Sequence, residues 1–308
     1  MAAPDLDLTA ARLAFRDELV GQGLLIATGV PGVYGRGGDF EETLDRIDRL
    51  VTDYGRADGA TVMRFPPILN RAHFNRSGYL KSFPQMVGSV HSFEGDERGH
   101  RDLLAAVETG GDWGAGLPST DVVLTPAACY PVYPAVAGRL PEGGRVVDVL
   151  SFCFRHEPSD DPARMQAFRP REHDRIGTPE QVTAWRNVWF ERARAFVARL
   201  ALNARLEVAN DPFFGRGGKL LAQNQRDAEL KFEVVTRIVS AKHPTAVISL
   251  NYHQDHFGAI YGITSDHGEP AHTACIGFGL ERITLALFKQ HGFDRALWPE
   301  SVREALAL

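Results

Sequence analysis

Three groups of residues in this chain have types and spacing that suit chemistry. The first is Phe152-Cys-Phe-Arg-His-Glu157, within a Val- and Phe-rich segment at 145–157 that reads as a strand. Alternate residues of a strand share a face, which puts Cys153, Arg155 and Glu157 together. A guanidinium beside a carboxylate is either a solvated ion pair or part of a nucleotide site, with Arg on phosphate and Glu accepting from an exocyclic amine. After a loop at 158–166 the chain returns as a second strand at 167–176, so the two form a long-looped antiparallel hairpin. There Phe168, Pro170 and Glu172 share a face. Phe168 is either core or a platform for a base. Arg164, Arg169 and Arg171 make either a solvated edge or a cationic cover over a phosphate chain.

The second group is Ala274-Cys-Ile-Gly-Phe-Gly-Leu-Glu-Arg282. Gly277 and Gly279 let a strand turn into a helix and let a ligand approach the backbone. Arg282 falls in the first helical turn, where a cation opposes the helix dipole, so phosphate binding is one reading of it. The third group is scattered: Cys129, Glu172 and Cys275. No C-x-x-C pair exists, which excludes a zinc ribbon. Three ligands from distant segments with one open position would suit a substrate-binding zinc. Buried, inert cysteines are the alternative, and His91, His100, His173, His253, His256 and His272 offer competing ligands.

The elements that must position these groups follow from periodicity. The first 60 residues read as helix, turn, helix, joined by the glycine-rich connector 29–38. Strands are expected at 61–69, 119–126, 205–211, 245–251 and 273–278, with 82–93 extended or mixed. Thr178-Pro-Glu-Gln181 is a helix start with an N-cap, Pro at N1 and Gln at N3. Further helices are expected at 228–241 and 279–290. Strands and helices mix without βαβ alternation, which predicts an α+β fold with a mainly antiparallel sheet flanked by helices. Lys+Arg 34 against Asp+Glu 39 leaves a net charge of −5, which argues against a generically basic nucleic-acid binder. Three cysteines are too few for a disulfide framework, and neither a signal peptide nor a membrane-spanning run is visible. A cytoplasmic location is expected.

Together these segments resemble class II aminoacyl-tRNA synthetases. Phe154-Arg-His-Glu157 with Phe168-Arg-Pro-Arg-Glu172 is similar to their motif 2, Gly277-Phe-Gly-Leu-Glu-Arg282 to motif 3, and Arg64-Phe-Pro-Pro-Ile68 to the looser motif 1. The three stand in order across about residues 60–290. Ser77-Gly-Tyr-Leu-Lys-Ser-Phe-Pro-Gln-Met86 and Leu124-Thr-Pro-Ala-Ala-Cys-Tyr-Pro131 resemble seryl-enzyme stretches. Cys129 departs from the Glu usual there. That departure looks like the zinc-dependent seryl enzymes of methanogens and their short bacterial relatives, the amino acid:[carrier protein] ligases. The short relatives match better: no long heptad arm precedes motif 1 and no basic tail follows.

The resemblance implies one catalytic domain over 1–308, with 1–60 an N-terminal helical segment and about 211–242 a helical insertion for partner docking. It implies ATP-dependent activation of glycine or alanine to an aminoacyl adenylate, then transfer to the phosphopantetheine thiol of a carrier protein. Arg155 would sit at the α-phosphate and Arg282 at the γ-phosphate, with Mg²⁺ between them. Glu157 and Phe168 would hold adenine, with Arg164 over the phosphates. Cys129, Glu172 and Cys275 would hold Zn²⁺. Asp211, Lys231 and Asn251 would line the amino-acid pocket, and Arg216, Lys219 and Arg226 would dock the carrier protein. Motif 1 implies a homodimer, and no tRNA or membrane partner is expected. The alternatives are a tRNA-charging enzyme with a separate tRNA-binding partner, and an inactive paralog; intact Arg155, Glu157 and Arg282 speak against the second.

Overall fold

The computed structural model describes residues 5–308, with side chains from Leu8 onward except that of Arg216. Seven strands form the main sheet: β1 (Thr61–Arg64), β2 (Arg145–Leu150), β3 (Pro170–Gly177), β4 (Ala204–Val208), β5 (Lys231–Thr236), β6 (Thr245–Gln254) and β7 (His272–Gly279). Their spatial order is β4-β5-β6-β7-β3-β2-β1. Every neighbouring pair is antiparallel except β1 and β2, which run parallel. The expected α+β architecture with a mainly antiparallel sheet is what the chain adopts.

Helices cover one face of this sheet: α1 (Asp5–Gly21), α2 (Gly38–Gly55), α3 (Pro179–Arg199) and α5 (Leu280–His291). A further helix, α4 (Gly215–Asp227), links β4 to β5. Thr178 and Gln181 close the capping box expected at the start of α3. Its buried Trp189, Phe196 and Val197 join Ile276 and Phe278 of β7, Leu250 of β6 and Val234 of β5 in one core with Phe40, Leu44 and Ile47 of α2. Strand alternation then decides the other face. With Ile276 and Phe278 turned to the helices, Cys275, Gly277 and Gly279 turn the opposite way.

Several expectations change in detail. The 145–157 strand breaks after Leu150; only Cys153–Phe154 continues, paired with Ala167–Phe168, so the hairpin exists but is split. The N-terminal connector contains a small hairpin, Leu25–Ala27 against Tyr34–Arg36. The helix expected at 228–241 is wrong. That stretch holds strand β5, and the helix lies earlier, at 215–227. The region near 211–242 is thus one helix followed by a strand of the main sheet. No helix among the described residues is long and apolar enough to cross a membrane.

Candidate active site

The open face of the sheet floors a cavity of about 270 Å³. Register places its polar residues in rows. Lys231, Asn251, Cys275 and Asp174 stand abreast on β5, β6, β7 and β3. One step along, Glu233, Ser249, Gly277 and Glu172 form the next row. Directly opposed residues of antiparallel strands share a face, so a cross-strand ladder, not sequence proximity, assembles the cavity floor. Gly277 keeps that floor low: a Cβ there would reach Ser249 Oγ at 3.4 Å and Glu172 Cγ at 3.5 Å.

At one end, cations converge. Arg155 is held by the Pro126 carbonyl, to which its Nε donates at 3.0 Å, and by the Phe168 face 5.3 Å from its guanidinium carbon. Arg282 donates to the carbonyls of Ala163 at 2.9 Å and Ala246 at 3.1 Å. Burial, then Arg155 and Arg164 nearby, lowers its pKa from the ordinary value. Neither Arg155 nor Arg282 has a carboxylate partner among the described residues. Two semi-buried guanidiniums without counter-charge suit a polyanion. The solvated Arg155–Glu157 pair does not form. Glu157 instead meets the half-exposed Arg164 at 3.2 Å. Arg155, Glu157, Phe168 and Arg282 all line the cavity, while Arg164 and Cys153 do not; Cys153 is buried in the apolar cluster that also holds Cys129.

At the other end, donor atoms of Cys129, Glu172, Asp174 and Cys275 lie within 4.8 Å of one another, all buried. Backbone N–H groups of Ala128 and Cys129 donate to the two Glu172 oxygens at 3.1 and 3.2 Å, aiming the carboxylate inward. No Lys or Arg pairs with Glu172 or Asp174 among the described residues. Among the described residues Asp174 Oδ2 has no hydrogen-bond partner, and Oδ1 receives only Tyr133 Oη–H at 3.4 Å. The electrostatics respond accordingly. Burial, with Cys275 close by, pushes Glu172 up to about 7, and Asp174 is pushed well above its usual range for the same reasons. Contact with Cys275 and burial raise the Cys129 thiol, while the same contact, with His253 and Asn251, lowers Cys275. Tetrahedral zinc with bonds of about 2.0–2.3 Å spaces its donors by roughly 3.3–3.8 Å. Two sulfurs and two carboxylates this close, with no Lys or Arg paired to them among the described residues, fit such an ion. Among the described residues no histidine joins the cluster; His173 points to the opposite face, against Gly55 and Trp189.

Asp211, Lys231 and Asn251, the residues expected at the amino-acid pocket, all line this cavity. Asp211 pairs with Lys231, which also meets Glu233 at 3.2 Å. Burial notwithstanding, Lys231 and Gln225 hold the Asp211 carboxyl below its usual range. Asn251 donates instead to Cys275 Sγ at 3.3 Å. Three residues were not singled out by sequence for the places they take. Asp174 follows from the period of two after Glu172, but only register shows that it faces Cys275. His253 and Gln225 carried no local signal of their place. Lys219 and Arg226 are exposed on α4, away from the cavity floor. Arg216, expected to join them, has its side chain outside the described residues.

Comparison with known proteins now bears on this arrangement. No protein-family model matches the chain. It is 43% identical over 307 residues to amino acid–[acyl-carrier-protein] ligase 1 of Bradyrhizobium diazoefficiens, spanning 99% of this chain and 94% of that protein. Ligase 2 of the same organism is 46% identical over 91% of this chain and 84% of its own length. The chain belongs to the amino acid–[acyl-carrier-protein] ligase family. A type-2 serine–tRNA ligase of Methanococcus aeolicus is 29% identical over 60% of the ligase and 37% of its own length. Among solved structures, that of M. kandleri SerRS in complex with A. aeolicus tRNASec superposes with a TM-score of 0.80 at 22% identity, over 95% of the ligase and 60% of that chain. At that identity the likeness establishes a class II synthetase fold and nothing more. The resemblance read from motifs 1 to 3 therefore holds for both fold and family.

Proposed function

We propose that the ligase activates glycine or alanine with ATP and passes the aminoacyl group to the phosphopantetheine thiol of a carrier protein. One observation carries this reading: a single cavity joins two unpaired guanidiniums, Arg155 and Arg282, to a buried sulfur–carboxylate cluster. The names of the two Bradyrhizobium relatives support the acceptor.

In the first step a carboxylate oxygen of the amino acid attacks the α-phosphorus of ATP, and the bond to the bridging oxygen breaks to release pyrophosphate. The carboxylate is already ionised, so no general base is needed. Negative charge builds on the phosphate oxygens. Arg155 opposes it at the α-phosphate and Arg282 at the γ-phosphate, an effect of position and charge; Mg²⁺ accompanying ATP would supply further positive charge. Glu157 accepts from the adenine amine, Phe168 stacks on the ring, and Arg164 covers the phosphates. Asp211, Lys231 and Asn251 line the amino-acid side, and Tyr79, Tyr130 and Phe257 also line the cavity. When bound by Cys129, Glu172 and Cys275, zinc would supply a Lewis-acid anchor for the deprotonated amine, serving recognition. In the second step the phosphopantetheine thiol gives up its proton to solvent, its sulfur bonds to the adenylate carbonyl carbon, and the bond from that carbon to the phosphate oxygen breaks, so that AMP leaves with the bonding electrons.

The carrier protein docks on α4 through Arg216, Lys219 and Arg226. The ligase acts as a cytoplasmic homodimer, with the exposed edge strand β1 at the contact between protomers. An acceptor competition tests the whole reading. The ligase is incubated with ATP, Mg²⁺, zinc and labelled glycine, alanine or serine, and offered phosphopantetheinylated carrier protein and bulk tRNA together. Label on the carrier protein with glycine or alanine is expected. Label on tRNA alone overturns the acceptor, and no adenylate with any of the three amino acids overturns the activity.

A further inference from the structure

The two cysteines of the cluster differ in what surrounds their sulfurs. Asn251 Nδ2 lies 3.3 Å from Cys275 Sγ, and His253 Nε2 lies 3.7 Å from it. The other ring nitrogen, His253 Nδ1, is 3.0 Å from Thr273 Oγ1. No side-chain N–H reaches the Cys129 sulfur among the described residues; its polar neighbours are the Tyr133 hydroxyl and Cys275, and the Cys129 backbone N–H is taken by Glu172.

The backbone is shaped to make this contact. Asn251 stands directly opposite Cys275, but the register between β6 and β7 slips between Tyr252 and Gln254. His253 is the extra residue of that bulge, and Gln254 after it adopts φ +55°. A bulge re-aims one side chain, and a left-handed non-glycine residue carries strain that surrounding structure must sustain. Here the re-aimed side chain reaches the sulfur. A metal-bound thiolate has no proton and can only accept, so Nε2 must carry the hydrogen. Nδ1 must then accept from the Thr273 hydroxyl, which fixes the tautomer.

We propose that His253, with Asn251 beside it, is a positioning residue of the metal site. Two N–H donors withdraw electron density from the Cys275 thiolate and fix its orientation. They make Cys275 a weaker donor than Cys129, and so leave the bound ion more electrophilic towards its fourth ligand, the substrate amine. This rests on the reading that Cys129, Glu172 and Cys275 hold a metal.

Cobalt(II) loading tests both claims separately. Thiolate-to-cobalt charge transfer gives near-ultraviolet absorption whose energy reports the sulfur electron density, whereas a residue that merely supports the fold does not move it. Wild type is expected to show the band; its absence overturns the metal reading itself. In His253→Ala the band is expected at longer wavelength, because a sulfur freed of the N–H yields its electron more easily. Metal affinity, from chelator competition, is expected to fall about tenfold or more. Thr273→Val, which removes only the hydroxyl that fixes the tautomer, is expected to shift the band less but in the same direction. It also carries the test if His253→Ala does not fold. A wild-type band whose energy neither substitution alters overturns the proposal.

Discussion

Gln225 grips Asp211 at both ends. Its amide oxygen accepts from the Asp211 backbone N–H at 2.7 Å, and its amide nitrogen donates to Asp211 Oδ2 at 2.9 Å. The other Asp211 oxygen faces Lys231. An α4 residue thereby fixes a carboxylate in the cavity wall, and the helix whose outer surface is exposed is tied by its inner surface to the cavity. Hydrogen bonds to charged groups contribute about 1.5–3 kcal/mol each. Gln225→Ala is expected to raise the KM for the amino acid about tenfold or more in ATP–pyrophosphate exchange, with the KM for ATP unchanged. Equal changes in both would mean that Gln225 supports the cavity as a whole.

The three cysteines separate into two kinds. Cys129 and Cys275 face the cavity within the donor cluster, whereas Cys153 is 2% exposed among Val147, Val149 and other apolar side chains. Cys129→Ala and Cys275→Ala are expected to lose bound zinc and amino-acid activation together. Cys153→Ala keeps both and loses only a modest amount of stability, of the order of 1 kcal/mol for a small cavity. Metal content by mass spectrometry of the purified variants decides it. Full zinc occupancy in either of the first two would remove that residue from the ligand set.

If Glu172 is a ligand, metal retention is expected to depend on pH. In the metal-free protein its carboxyl titrates at about 7, against an ordinary value of 4.5, chiefly because it is buried. Between those values the folded state holds a proton that the unfolded state has lost. This group's contribution to stability is therefore fully present below about 4.5 and is lost as pH rises through about 7. A metal needs the carboxylate, so its binding gains over the same interval. The difference in Tm between zinc-loaded and chelator-treated protein is expected to widen from about pH 5.5 to about pH 7.5. In Glu172→Gln the metal-free protein should lose the part of its Tm decline that this group causes. A constant difference across that range would show that Glu172 does not ligate.

Part of the site was legible because it obeys a period of two. Alternation put Phe168 and Glu172 on one face, and both line the cavity; it also grouped Cys153 with Arg155 and Glu157, but only the last two line the cavity, beyond the end of the split strand. The roles of Cys129 and Cys275 were not legible in that way, since their segments are far apart in sequence and only the fold makes them neighbours. Asp174 and His253 were hidden for a related reason: one needs the β3–β7 register, the other a bulge that breaks alternation. The error at 228–241 has a different cause. Phe232, Val235 and Val239 recur at helical spacing, but β5 gains hydrogen-bonded neighbours on both sides, β4 and β6, and that pairing overrides the local pattern. Gly217 and Gly218 weakened the helix signal just before it. Gly218 is required there, since a Cβ would come within 2.5 Å of the Phe213 carbonyl.

The start of α4 is anchored to the cavity wall by Phe213, whose ring stacks on Phe83 at 5.2 Å. Beyond that anchor the helix turns Phe214, Leu220 and Leu221 outward at 60%, 65% and 46% exposure, beside exposed Lys219 and Arg226. Apolar residues rimmed by cations suit an acidic protein surface that also offers apolar contacts. None of these side chains holds Asp211 or reaches the arginines of the cavity, so docking and activation are separable. Lys219→Glu with Arg226→Glu, and separately Leu220→Asp, are expected to raise the KM for carrier protein about tenfold or more. Each exposed charge reversal and the lost apolar contact contribute of the order of 1 kcal/mol. ATP–pyrophosphate exchange with the amino acid should stay at the wild-type rate. A basic-patch effect should also grow at low ionic strength, where screening is weak. Loss of exchange in step with loss of transfer would give Lys219, Arg226 or Leu220 a part in activation, and unchanged transfer would move the docking surface elsewhere on the ligase.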